Sequence, residues 1–129
     1  MQNKALVIDI EKLDDVCVLH FKGRFGTGTD PEYLSAKADE VKRTNCGKVL
    51  ADFCDLLYVG STGIGFVVGL YSSALRSSGR FVLAGLQPRV REVFDLTRLS
   101  TIIPLAADVA SGLAALRGEA RAAQSAEEP

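Results

Sequence analysis

Two hydroxyl residues stand side by side at positions 61 and 62, inside the run Val59-Gly60-Ser61-Thr62-Gly63-Ile64-Gly65. A hydroxyl in such a setting has two chemical uses. It can cap a helix by accepting a hydrogen bond from a free backbone N–H. It can also accept a phosphoryl group, which would add about −1.5 to −2 charges. A helix N-terminus tolerates that charge, whereas a partner pressed over the turn does not, and a loss of ~3 kcal/mol is roughly a hundredfold in affinity. The glycines at 60, 63 and 65 leave the backbone open to close approach by another molecule. Leu56, Leu57, Tyr58 and Val59 form an apolar run just before the turn, part of it expected at the surface. The segment is thus suited to an on/off protein contact.

The remaining reactive side chains form no second constellation. The one histidine, His20, falls inside a strand-like run and reads as a sheet-face residue. No sequence feature places it with Cys17 or Cys54 as a nucleophilic pair. One histidine with scattered cysteines has no metal-ligand spacing, so no metal is expected. Cys17, Cys46 and Cys54 are odd in number and lack a CxxC pair, and they read as small hydrophobes. Gly26-Thr27-Gly28 is only a GxG, which suits a turn better than a phosphate cradle. The carboxylates are dispersed. The chain is therefore read as a non-enzyme without cofactor.

These groups must be held by a fold that 129 residues can build as one domain. Hydrophobic residues make up 47% and charged residues 24%, as in globular proteins. Fifteen basic residues against sixteen acidic ones leave a formal net charge of −1. No basic excess exists to release phosphate counterions, so no nucleic-acid partner is expected. No run of about 18 apolar residues predicts membrane insertion, and no long apolar leader is seen; a cytoplasmic location is expected.

Periodicity supplies the elements. Residues 6–10 and 16–21 alternate as strands, with Asp14-Asp15 as the hairpin turn. In the second strand Cys17, Leu19 and Phe21 point one way, and Val16, Val18 and His20 the other. Residues 23–28 read as a glycine-rich loop. Thr29 or Asp30 can cap a first helix, with Pro31 and Glu32 in its first turn and Leu34, Ala38 and Val41 as its buried stripe. Asn45 and Gly47 end it, and residues 48–53 predict a central strand. A second helix starts near Ser61, capped by Ser61 or Thr62, and carries Ile64, Val67, Val68, Tyr71, Ala74 and Leu75 on one face. Residues 80–84 predict a strand, Pro88 opens a helix with Val90, Val93, Phe94 and Leu96, residues 101–105 predict a last short strand, and Val109, Leu113 and Leu116 mark a final helix. The expectation is an α/β domain over residues 1–117, a mixed sheet of four to five strands with about four helices mainly on one face. Residues 118–129 read as a disordered C-terminal tail.

Asp52 followed by Gly60-Ser61-Thr62-Gly63-Ile64-Gly65 resembles the signature of STAS domains, above all the bacterial anti-sigma factor antagonists. The likeness extends to residues 16–23 as the family's second strand, Ser78-Gly79-Arg80-Phe81-Val82-Leu83 as its fourth, residues 88–97 as its third helix and residues 99–104 as the segment that follows. It covers about residues 6–117. The resemblance implies a partner switch: an unphosphorylated antagonist holds an anti-sigma factor that is also a serine kinase of histidine-kinase-like ATPase fold, the kinase phosphorylates the antagonist, and a phosphatase resets it. Ser61, and secondarily Thr62, matches the phosphoacceptor. The implied partner-binding residues are Arg24, Gly26, Tyr58, Val59, Gly60, Ser61, Thr62, Gly63 and Gly65.

Two positions depart from the family pattern. Its motif Asp is here Gly60, and the Asp after its second strand is here Gly26. Losing a carboxylate beside Ser61 removes a group that orients the hydroxyl, while losing two anions lessens repulsion of a bound phosphate. The alternative within the resemblance is a non-phosphorylated STAS scaffold, stressosome-like, or the accessory subunit of a lipid-transport ATPase. An enzyme built on His20 or Cys54 is the competing class, and nucleotide binding rests on family analogy alone.

Overall fold

The computed structural model describes residues 5–118, so the tail expected over residues 118–129 lies, apart from Gly118, outside the described residues. Gly118 is the left-handed cap of the last helix, at φ 80°.

Ten elements follow in the order β1 (Val7–Leu13), β2 (Val16–Phe25), α1 (Pro31–Thr44), β3 (Lys48–Val59), α2 (Ser61–Arg76), β4 (Arg80–Ala84), α3 (Pro88–Leu96), a 3-10 turn (Leu99–Thr101), β5 (Leu105–Ala106) and α4 (Val109–Arg117). They build one five-stranded sheet in the order β1-β2-β3-β4-β5. The β1–β2 hairpin is antiparallel and turns at Asp14, whose φ of 57° an Asp tolerates. The pairs β2–β3, β3–β4 and β4–β5 are parallel, each joined through a helical crossover. No helix among the described residues is long and apolar enough to cross a membrane.

The strand alternation sorts side chains into two layers. Cys17, Leu19, Phe21 and Phe25 of β2, with Val49, Ala51, Phe53, Leu56 and Val59 of β3, face one core. Leu34 of α1, Val67 and Ala74 of α2, and Val90 and Phe94 of α3 close over it. Val16, Val18, Leu50, Val82 and Ala84 face the other way and are covered by Leu116, Leu113 and Val109 of α4. Each fully buried Phe or Leu contributes about 1.5–3 kcal/mol relative to exposure, so the twelve-residue β3, buried on both faces at Leu50 and Ala51, anchors the domain.

Helix α1 starts and stops as its residues dictate. Asp30 is its N-cap and accepts the Glu32 N–H at 3.0 Å, Pro31 sits in the first turn, and Asn45 closes it in the left-handed region. Thr29 does not cap; its hydroxyl donates to the Gly26 carbonyl at 2.9 Å.

Several expectations are corrected. β3 does not stop near Phe53 but pairs with β2 as far as Val59, because β3 takes up one extra residue opposite His20–Lys22 and another opposite Gly23–Arg24, and the ladder resumes after each. β2 likewise runs to Phe25, so the loop begins at Gly26 rather than Gly23. The last strand is only Leu105–Ala106; residues 99–101 coil into a 3-10 turn instead. Leu75 and Leu96 are exposed, at 50% and 77%. Phe66, not read from the sequence as a core residue, packs on Phe25 at 5.7 Å between ring centroids.

Candidate functional site

The turn from β3 into α2 is built from β2 outward. The Gly60 N–H donates to the Phe25 carbonyl at 2.8 Å, and the Gly60 carbonyl accepts the Ile64 N–H at 3.0 Å. Gly60 is therefore the N-cap, in extended backbone, and α2 has no side-chain cap. This corrects the expected capping role of Ser61 and Thr62. Ser61 is the first helical residue and is exposed; Thr62 is half-buried. A serine released from capping keeps its hydroxyl free for other chemistry.

Gly63 fixes how low the helix lies. A β-carbon there would stand 2.6 Å from Val59 Cγ2 and 2.9 Å from Phe25 Cγ. The first turn of α2 thus rests directly on the ends of β2 and β3, with only a hydrogen between. Phe21, Phe25, Phe53 and Phe66 form the floor, with Phe21 and Phe53 packed edge to face at 5.0 Å.

The expected docking residues separate into two groups. Arg24, Gly26, Tyr58, Gly60, Ser61, Thr62 and Gly65 are exposed or half-buried. Val59, 2% exposed, and buried Gly63 point inward and support the turn rather than offer contacts. The register sets Arg24 beside Tyr58, and the Arg24 guanidinium carbon lies 4.7 Å from the Tyr58 ring centroid. A β-carbon on Gly60 would stand 3.0 Å from the Tyr58 hydroxyl, and one on Gly26 would lie 3.7 Å from the ring. Tyr58, 43% exposed, therefore spans the two glycines at the surface. The structure brings Arg24, Gly26, Tyr58, Gly60 and Ser61 to one rim.

A second polar group lies on the sheet face that α4 covers over β3, β4 and β5. His20 Nδ1 is 2.6 Å from Asp52 Oδ2, and His20 Nε2 is 2.9 Å from Glu11 Oε1. Each ring nitrogen faces a carboxylate oxygen, and because ionised carboxylates only accept, the arrangement favours the imidazolium, which donates from both nitrogens. Burial works against its charge, but the hydrogen bonds to Glu11 and Asp52 and their negative charges outweigh it and hold the pKa above the ordinary histidine value. For Asp52, burial is outweighed by donation from Cys54 and from His20, and its carboxyl sits below the usual range.

Cys54 is exposed, and its N–H donates to Asp52 Oδ1 at 3.0 Å. Its thiol is pushed up to about 11, first by its hydrogen bond to Asp52, then by burial and by the charges of Asp52, Asp55 and Asp108. It is thus a protonated thiol near neutral pH and a poor nucleophile. Asp52 joins His20 and Cys54 in one network that the sequence did not place together. The available signal was the hairpin: a turn at 14–15 pairs Leu13 with Val16 and brings Glu11 diagonally against His20.

Comparison with known proteins adds to this geometry. The model of the STAS domain family matches residues 7–112. The anti-sigma-B factor antagonist of Listeria monocytogenes is 33% identical over 100 residues, covering 76% of this chain and 86% of that protein. Among solved structures, an anti-sigma factor antagonist from Mycobacterium paratuberculosis superposes with a TM-score of 0.77 at 23% identity, over 88% of this chain and 95% of that one. The unphosphorylated form of the anti-sigma factor antagonist SpoIIAA gives 0.72 at 20% identity, over 87% and 97%. At these identities the two structural matches speak to the fold.

Proposed function

The chain belongs to the STAS domain family, and we propose that it acts as an anti-sigma factor antagonist by partner switching, docking a serine-kinase anti-sigma factor of histidine-kinase-like ATPase fold on the turn from Gly60 to Gly65. The observation that carries this reading is Ser61 itself. Its hydroxyl is exposed at the N-terminus of a sixteen-residue helix, is not used as a cap, and has no acidic neighbour in the first turn of α2. The backbone beneath it is held by Phe25 and Gly63, so a partner meets a preformed surface and little ordering cost is added on docking.

Phosphorylation of Ser61 is the regulatory step in this reading, with Thr62 the secondary acceptor. The phosphate would sit at the positive end of α2, where free N–H groups favour an anion. The chain would keep its fold and lose its partner through charge and bulk at the contact.

Pull-down with the chain from its own cells tests the reading. Wild type is expected to retain an ATPase of that fold, and Ser61→Asp to retain at least tenfold less of it. Equal retention by Ser61→Asp sinks the switch. Intact mass of protein from those cells, with one phosphoryl group mapped to Ser61, tests the covalent step. Gly26 and Gly60, in place of two acidic residues, favour a second reading, a STAS scaffold or transporter subunit that is never phosphorylated. A stoichiometric complex with a transporter ATPase and no phosphate on Ser61 would decide for it.

A further inference from the structure

Arg24 and Tyr58 stand next to each other at the ends of paired strands, and their chain neighbours Phe25 and Val59 turn into the core. Both therefore project from the sheet at the rim that carries Ser61. The Arg24 guanidinium, 4.7 Å from the Tyr58 ring centroid, lies over the aromatic face, where the ring quadrupole attracts it. Two glycines also lie close to the ring. The space a β-carbon would take at Gly60 ends 3.0 Å from the phenol oxygen, and at Gly26 it ends 3.7 Å from a ring carbon. The phenol thus crowds the space a side chain at 60 would take and lies in ordinary contact range of one at 26. Leu57 beside it is 43% exposed.

The rim carries an unpaired cation. Arg24 makes no ion pair among the described residues, and α2 opens with no acidic residue in its first turn. A guanidinium held on a ring still presents its donor fork, which matches a carboxylate in two parallel bonds. The ring edge and Leu57 supply apolar area beside it. A basic segment would meet Arg24 and the positive end of α2, and like charges across a contact suppress binding.

We propose that Arg24 and Tyr58 are the selecting residues of this surface, and that they take a partner segment with a carboxylate next to an apolar side chain. The inference rests on the docking role given to the turn above and names the chemistry of what docks there. It also supplies a means of release: a phosphate on Ser61 competes for the same positive charge and repels the partner's acid.

A random-peptide library displayed on phage and panned on the intact wild-type chain tests this without the ATPase. Selected peptides are expected to carry Asp or Glu beside Leu or Phe. They should bind Arg24→Glu and Tyr58→Ala about tenfold more weakly, Arg24→Gln at an intermediate level, and Tyr58→Phe nearly as wild type. Panning on Arg24→Glu should recover Lys- or Arg-bearing peptides instead. Circular dichroism of each variant checks that the fold is kept; both residues are exposed. Peptides without an acidic excess, equal binding to Arg24→Glu, or no recovered binder overturns the proposal. Failure of the partner-switching reading shows separately, as an absent ATPase in the pull-down.

Discussion

His20 Nδ1 lies 2.6 Å from Asp52 Oδ2, across the pairing of two parallel strands in the middle of the sheet. With Glu11 on the opposite nitrogen, the imidazolium ties β1, β2 and β3 together on the face where α4 ends its cover. Its folded pKa is raised, so its contribution is fully present below about 6.5, the unfolded value. That contribution is lost as pH rises through the folded pKa. Asp52 has the opposite sign: its lowered pKa gives stability that is present above about 3.9 and lost as pH falls through the folded value. Melting temperature is therefore expected to peak between these limits and to decline from near neutral pH upward. His20→Gln should flatten that alkaline decline; an unchanged profile would show that the histidine is not charged in the fold.

Cys54 should react slowly despite its exposure. A thiol near 11 carries little thiolate at pH 8. Labelling with a disulfide reagent at that pH is expected to run more than tenfold slower than for a free thiol of ordinary pKa, about 8.5. Asp52→Asn removes the first cause of the shift and should speed it. Equal rates in both proteins would refute the Asp52 contact.

Gly63→Ala forces a methyl to within 2.6 Å of Val59 Cγ2 and 2.9 Å of Phe25 Cγ. Both neighbours are fully packed, so overpacking should cost about 1–3 kcal/mol in urea unfolding. Because the strain lies under Ser61, the variant should also dock less partner than its stability loss explains.

Gly60→Asp puts a carboxylate on the side of the turn that Tyr58 occupies. At 3.0 Å from the β-carbon, the phenol must move. This crowding opposes the gain from a side-chain cap on α2, so the single substitution is expected to change stability by less than about 1 kcal/mol, and Tyr58→Ala in the same chain should make it more favourable. A double-mutant cycle by urea unfolding is expected to show a coupling near 1 kcal/mol. Additive behaviour would mean that the ring does not hold that space.

The elements with strong local signals were legible in the chain. Alternation at Val16 to Phe21 assigned two faces correctly, since Cys17, Leu19 and Phe21 enter one core and Val16 and Val18 the other. Asp30, Pro31 and Asn45 marked both ends of α1, because capping is a matter of the few residues at each terminus. The exposure of Leu75 and Leu96 was not legible for a related reason: helical spacing shows which residues share a face but not how wide a stripe the sheet can cover.

The turn at Gly60 to Gly65 was found from residue types alone, as hydroxyls, glycines and an apolar run in one short segment. What those residues do there is a tertiary matter. Gly60 caps because the Phe25 carbonyl, thirty-five positions back, takes its N–H. Val59 and Gly63 turn inward because β2 lies beneath them. Tyr58 lies over Gly60 and carries Arg24 because strand register, set by two extra residues in β3, aligns residue 24 with residue 58. Residue types and local periodicity determined most of the elements and the position of the turn that forms the candidate site. Which side chains meet was decided by long-range pairing, since a strand's register depends on a partner that the local sequence does not contain.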